Sequence, residues 1–145
     1  GRPRAGSRSP AWHDRRVNRQ LPGAGLAPPA ANYALAVVSE GARRLLHTSG
    51  IVPVTPDGTV PQIIADQVDV VWTSILLLLT EADMVPSDIV SVTTYVVADH
   101  VDELPTVMAA RDRFFGAHRA ASTLVTVPAL AQPAWRVEVA IVAAR

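Results

Sequence analysis

Six apolar residues, Ile64, Val68, Val71, Ile75, Leu78 and Ala82, recur at alternating steps of four and three. That spacing draws one apolar stripe along a helix of about five turns. Pro86 stops the pattern, because the residue before a proline is driven out of the helical region. A run dense in β-branched residues, 89–97, follows at once and reads as a central strand. A helix with one long buried face beside a strand of this kind restricts the chain to a helix layer on a sheet. Leu76, Leu77 and Leu79 widen the stripe beyond what one sheet face needs, which reads as close burial with some contact to a neighbouring subunit.

The remaining pattern supplies the other elements. Ala34, Ala36 and Val38 alternate with Leu35, Val37 and Ser39, a strand ending at the Glu40-Gly41 turn. Residues 43–50 make a second strand, so the two read as a hairpin. Pro53, Pro56, Asp57-Gly58 and Pro61 punctuate a loop with at most a short strand. Asp99 reads as the cap of a second helix through Phe115, closed by Gly116, with Val101, Leu104, Met108 and Phe115 on its buried face. Two further strands fall at about 123–127 and 136–143. The order β-β-α-β-α-β-β, five strands with the short strand allowed in the 53–61 loop as a sixth, predicts an α+β fold, a six-stranded mixed sheet with both helices on one face. The other face, carrying Val and Leu without a cover, predicts oligomerisation.

Composition removes several chemistries. Of 145 residues 49% are hydrophobic and 18% charged, which suits one packed globule. There is no Cys, hence no disulfide, no thiolate nucleophile and no cysteine-ligated metal, and a reducing, cytoplasmic setting fits. All 13 basic residues are Arg, so lysine Schiff-base chemistry is excluded. His13, His47, His100 and His118 lack metal-ligand spacing, His47 reading as a satisfied interior imidazole, and no glycine-rich phosphate loop occurs. No metal or cofactor is therefore expected. No apolar run suits a bilayer or a secretory signal.

Net charge is zero but unevenly spread. Residues 1–25 hold six Arg and one acid, Asp14, for +5, whereas 26–145 hold seven Arg and twelve acids for −5. The Leu21-Pro22-Gly23-Ala24-Gly25 stretch between them reads as a linker. Residues 1–25 thus read as a flexible basic extension and 26–145 as the domain. The extension suits a transit peptide, a nucleic-acid arm, an ill-defined tail, or a segment lying on the acidic body of its own oligomer. The acidic body disfavours nucleic acid elsewhere on the chain.

Five fragments in order carry a family resemblance. They are Asn32-Tyr33 with Ala36, Thr48-Ser49-Gly50-Ile51-Val52-Pro53, Asp88-Ile89-Val90-Ser91-Val92-Thr93-Thr94-Tyr95-Val96, Phe114-Phe115-Gly116-Ala117-His118-Arg119, and Val137-Glu138-Val139. From about Asn32 to the C-terminus the chain resembles the Rid (YjgF/UK114) family. The resemblance implies a Rid/chorismate-mutase-like fold and a homotrimer whose sheets form a central barrel. Three interfacial clefts for a small metabolite would lie between subunits, with no membrane partner. It further implies hydrolysis of reactive imines and enamines, an Arg gripping the substrate carboxylate while an ordered water attacks the imine carbon. A non-catalytic ligand-binding or regulatory trimer using the same cleft is the alternative.

On that resemblance Tyr33, Ser49, Gly50, Ile51 and Glu138 fall in the cleft, and Ser122 stands where the Arg is expected, Ala121 if the alignment shifts by one. Ser122 offers one hydroxyl in place of a two-pronged cation, or is a plain strand-edge hydroxyl. Glu138 is either the group that orients water or substrate or a solvated strand position. Arg136, two residues away, leaves the same strand face and either pairs with Glu138 or serves as a replacement anchor. Arg119 either swings into the cleft or stays an exposed loop residue. Tyr33 is an aromatic cleft wall or packing at a subunit contact. Gly50 allows close approach of backbone to ligand or marks a bulge.

Overall fold

The computed structural model describes residues 17–145. Six strands and two α-helices follow one another as β1 (Asn18–Gln20), β2 (Val37–Ser39), β3 (Leu45–His47), α1 (Ile64–Glu81), β4 (Ile89–Val97), α2 (Leu104–Phe115), β5 (Ala121–Val127) and β6 (Val137–Ala144). Strands β3-β6-β4-β5, in that order, form a mixed sheet in which only β4 and β5 run parallel. Helix α2 makes the crossover between those two. Both helices pack on one face of this sheet, where Val92, Val96, Val137, Val139 and Ile141 meet Ile64, Val68, Val71, Ile75, Val107 and Ala110.

The α+β class and the helix layer are as expected, but the single six-stranded sheet is not what forms. The four-stranded sheet is accompanied by a separate two-stranded ribbon, β1 paired antiparallel with β2. The expected hairpin between residues 32–39 and 43–50 is absent. Strand β3 instead pairs antiparallel with the C-terminal strand, Leu46 opposite Ala143. The reason is non-local: Arg43 and Arg44 donate their backbone N–H groups to the Arg145 carbonyl, so the chain after Gly41 joins β6. Strand β2 finds its partner in Asn18–Gln20, inside the expected basic extension. Asn18 ties this ribbon down by donating from Nδ2 to the Ala144 carbonyl at 2.8 Å and accepting from Ser39 Oγ at 2.7 Å. Residues 1–16, the rest of that extension, lie outside the described residues.

The stripe of α1 is buried at Ile64, Val68, Val71, Ile75 and Leu79, whereas Leu76 and Leu77 point outward, 43% and 65% exposed. Buried among them is Gln67, whose Nε2 donates to the Pro61 and Ala134 carbonyls and whose Oε1 accepts from the Arg136 N–H, all within 2.9 Å. The second helix begins later than expected. Residues 98–103 form a 3₁₀ stretch, and Asp99 makes no side-chain cap. The backbone leaves the helical region at His100, so Val101 is exposed, and the buried face of α2 is Val107, Ala110, Arg111 and Phe115. In the loop 53–61, Asp57 accepts hydrogen bonds from the Thr55 hydroxyl and the Thr59 N–H, which hold its carboxyl below the usual range.

Candidate active site

Strand alternation sorts the candidate residues by sheet face. Val92, Thr94 and Val96 of β4 face the helices, and they pair with Ile141, Val139 and Val137 of β6. Glu138, opposite Tyr95, therefore points to the uncovered face, where Val125 of β5 lies beyond Tyr95. Ser122, in register with buried Val92, points the other way, toward α2. The predicted residues thus fall into two sets on opposite faces of the sheet, with β4 between their strands.

The first set surrounds Glu138. After β3, the Thr48 N–H donates to the Ile141 carbonyl at 3.1 Å and the Ile141 N–H donates to the Thr48 hydroxyl at 3.0 Å, while Ile51 exchanges backbone bonds with Val139 at 2.7 and 3.1 Å. Two residues, Ser49 and Gly50, are left against the single Ala140, a bulge that turns Gly50 onto Glu138. A Cβ on Gly50 would stand 2.5 Å from Glu138 Oε2, so glycine is what lets the carboxylate lie over this backbone. Both readings of Gly50, bulge and close approach, meet here, although the close approach is to Glu138. Glu138 is half-buried, and its carboxylate makes no hydrogen bond or ion pair among the described residues. Its oxygens are therefore open to water.

The second set lies at the free edge of the sheet. The Ala34 N–H donates to the Ala120 carbonyl at 2.9 Å, pinning residues 30–34 beside the start of β5. Tyr33 consequently borders a cavity of about 390 Å³ together with Ala31, Met108, Arg111, Ser122, Thr123 and Leu124. The Tyr33 hydroxyl accepts from the Ala30 N–H at 3.2 Å. Arg111, missed in the sequence, is 5% exposed and donates from Nη1 to Ser122 Oγ at 3.3 Å. Asp112 Oδ1 accepts from its Nε and Nη2 at 3.2 and 3.1 Å, and Asn32 donates to Asp112 Oδ2 at 3.0 Å. An Arg inside Arg-Asp-Arg reads as a solvated helix position, although 111 lies between Met108 and Phe115 on the helix face expected to be buried.

Of the two cations considered from the sequence, Arg119 stays in its loop and Arg136 does not pair with Glu138. Arg119 donates to the Gly116 and His118 carbonyls at 2.7 and 3.0 Å, which folds it back on the turn after α2. Arg136 precedes β6, and its guanidinium is bonded to the Gln62 carbonyl, so it makes no pair with Glu138. His47 is exposed on the uncovered face opposite Val142, not interior. No group of three or more His, Asp or Glu residues that could hold a metal occurs among the described residues. No described helix is long and apolar enough to cross a membrane.

An α+β chain with this helix layer and a glycine-backed glutamate on the open sheet face has clear structural relatives. The profile of the endoribonuclease L-PSP family matches residues 25–145, and the chain belongs to this family, the Rid/YjgF/UK114 proteins. The Rid-family protein YyfB from Yersinia pestis is similar over 90% of this chain and 100% of its own, with 26% identity and a TM-score of 0.80. The YjgF gene product of E. coli is 27% identical over 81% of this chain and 91% of its own, TM-score 0.64. Rv2704 of Mycobacterium tuberculosis is 25% identical over 80% and 89%, TM-score 0.62. A comparison with curated proteins finds no match.

Proposed function

We propose that this protein hydrolyses a small imine or enamine, with Glu138 as the group that activates water. The observation that carries the reading is the Glu138 carboxylate lying over Gly50, half-buried, unpaired and open to the uncovered sheet face. A carboxylate so placed accepts a proton from water as the oxygen adds to the C=N carbon. Glu138 returns that proton to the nitrogen, and the resulting carbinolamine loses its hydroxyl proton as the C–N bond breaks, releasing ammonia and a carbonyl product; an enamine first tautomerises to the imine.

The two sets of residues point to how the site is completed. Within one chain Glu138 and the Tyr33–Ser122 edge face opposite ways, so one ligand reaches both only at a contact between copies. We therefore infer an assembly, a homotrimer by family resemblance, in which the free edge of β5 on one subunit meets the Gly50–Glu138 surface of the next. Strand β5 supports this reading, since past Ala121 its outer edge has no partner among the described residues.

The test is ammonia release from freshly generated 2-iminopropanoate by the native chain, Glu138→Gln and Glu138→Ala. The native protein is expected to exceed the uncatalysed rate, and both variants to lose about a hundredfold or more. Saturable ligand binding without turnover in the native chain would replace hydrolysis with the binding-module reading. Full activity in Glu138→Gln would remove Glu138 from the mechanism.

A further inference from the structure

We propose that the corner beneath the β1–β2 ribbon is a second ligand site, for an acidic α-amino acid, with Asp88 taking the ammonium and Arg145, Arg43 and Arg44 the two carboxylates. The site shares no lining residue with the cavity beside β5 and includes neither Gly50 nor Glu138, so it stands apart from the cleft proposed above. Three observations carry it.

The first is how the chain builds two adjoining hollows. Asn18 pins the ribbon to Ala144, which sets Val17 and Gln20 over the turn 86–88. The space enclosed, about 360 Å³, is also bordered by Asp88, His118 and Arg145. Arg43 and Arg44, whose backbone N–H groups are drawn to the Arg145 carbonyl, border a second hollow of about 360 Å³. Val17 and Arg145 line both, so one small molecule can reach from the first into the second.

The second is the gathering of acceptors at one end. Asp88 Oδ2 accepts from the Val85 N–H at 2.9 Å, which fixes the carboxylate, while Oδ1 accepts nothing among the described residues. His118 Nε2 donates to the Ile89 carbonyl at 2.7 Å, so in the uncharged ring Nδ1 is an acceptor. No buried side-chain N or O among the described residues lacks a partner, so these two unbonded atoms are open to a ligand. The Gln20 amide adjoins them. A carboxylate with neutral acceptors beside it suits the three N–H groups of a primary ammonium.

The third is the set of guanidiniums at the other end. Arg145 Nη1 donates to the Asp83 carbonyl at 2.9 Å and Arg44 Nη1 to the Ala82 carbonyl at 3.0 Å, which holds both heads against the C-terminal end of α1. Little side-chain freedom is then lost when a ligand arrives. Arg145 also stands 3.9 Å from Asp88 Oδ2, too far for a hydrogen bond, so each keeps its capacity for a ligand. An α-amino acid carries ammonium and carboxylate on one carbon, which matches a carboxylate and a guanidinium set this close. No side-chain carboxylate lines the second hollow, where Arg43 and Arg44 await a further anionic group. Three guanidiniums against the one carboxylate of Asp88 leave +2 around the ligand, which favours a second carboxylate on it.

The test is calorimetric titration of the native chain with L-glutamate, L-glutamine and glutarate, alongside Asp88→Asn, Arg145→Met, Arg43→Met and Glu138→Ala, with the folding of each variant checked by thermal denaturation. The native chain is expected to bind L-glutamate about tenfold or more tightly than L-glutamine, which lacks the second carboxylate, and than glutarate, which lacks the ammonium. Asp88→Asn keeps an oxygen for the Val85 N–H and removes only the charge. That variant and Arg145→Met should each lose about tenfold or more in affinity for L-glutamate. Arg43→Met should narrow the preference for L-glutamate over L-glutamine, and Glu138→Ala should bind L-glutamate as the native chain does. No saturable binding of L-glutamate by the native chain, equal binding of L-glutamate and L-glutamine, or native affinity in a folded Asp88→Asn or Arg145→Met would each overturn the proposal. Binding lost in Glu138→Ala would place the ligand in the cleft and overturn it as well. Should Asp88→Asn not fold, Arg145→Met and Arg43→Met decide, since both side chains are exposed. Binding is read without turnover, so failure here leaves the hydrolase reading untouched, and absence of ammonia release leaves this site standing.

Discussion

Gln67 illustrates how much one buried polar side chain organises. It is fully buried on α1, yet all its bonds leave the helix, to the Pro61 and Ala134 carbonyls and from the Arg136 N–H. It clips the loop before α1 and the loop before β6 to the same point, and that second loop sets where Val137 and Glu138 enter the sheet. Gln67→Leu keeps the volume but strips the Arg136 N–H and two carbonyls of their partner. We expect it to cost about 1–3 kcal/mol in urea unfolding, more than a solvent-side change on the same helix such as Thr73→Ala. The periodicity of α1 marks Gln67 only as a neighbour of the stripe. Two of its three partners lie 67 and 69 residues away and leave no trace in local sequence.

At the level of elements, the helix layer is held together by aromatic packing as well as by the aliphatic stripe. Trp72 of α1, 5% exposed, stacks on Phe114 of α2 with ring centroids 4.4 Å apart and meets Phe115 edge-on at 5.5 Å. This contact fixes the roll of α2 about its axis, and the roll decides that Arg111 faces the sheet edge. Trp72→Ala is expected to destabilise by about 3–5 kcal/mol, measured by chemical denaturation. Trp72→Phe, which keeps an aromatic partner, should recover most of that loss. A folded Trp72→Ala with unchanged stability would mean that α2 is held by other contacts. The 98–103 stretch is kinked at His100, whose backbone leaves the helical region, and Val101 is exposed there while Phe115 keeps its buried place on α2.

For the molecule as a whole, the uncovered sheet face and the open edge of β5 are the features a lone subunit handles least well. Leu45, at 60% exposure, and Val125, at 40%, stand on that face with His47, Val142 and Glu138 among them. Apolar residues on an uncapped sheet invite association. The expected outcome in light scattering is a mass of three chains of 15.4 kDa each. Val125→Glu, which sets a charge on this surface beside Tyr95, should shift the population toward single chains without unfolding them. A native protein that runs as a monomer at all concentrations would dismiss the interfacial cleft altogether.

Much of this protein was legible before any coordinates. The period of α1, the β-branched run 89–97 and the ordered fragments around Gly50 and Glu138 are local patterns, and local patterns record the elements and the family. Pairing is a different matter, because a strand's partner is chosen by geometry across the whole chain. Strand β2 took residues 18–20 and β3 took the C-terminus, although the nearest available partners were each other. The same physics hid Arg111. Position 111 lies on the expected buried stripe, but whether a charged residue there meets solvent or a pocket depends on the distant segments, residues 30–34 and β5, that border it. By itself the sequence determined α1, the central strand 89–97 and the group of proteins the chain belongs to. Only the tertiary structure decided that Glu138 and Ser122 face apart, since side-chain facing follows from strand register and helix roll, and both are set by contacts distant along the chain.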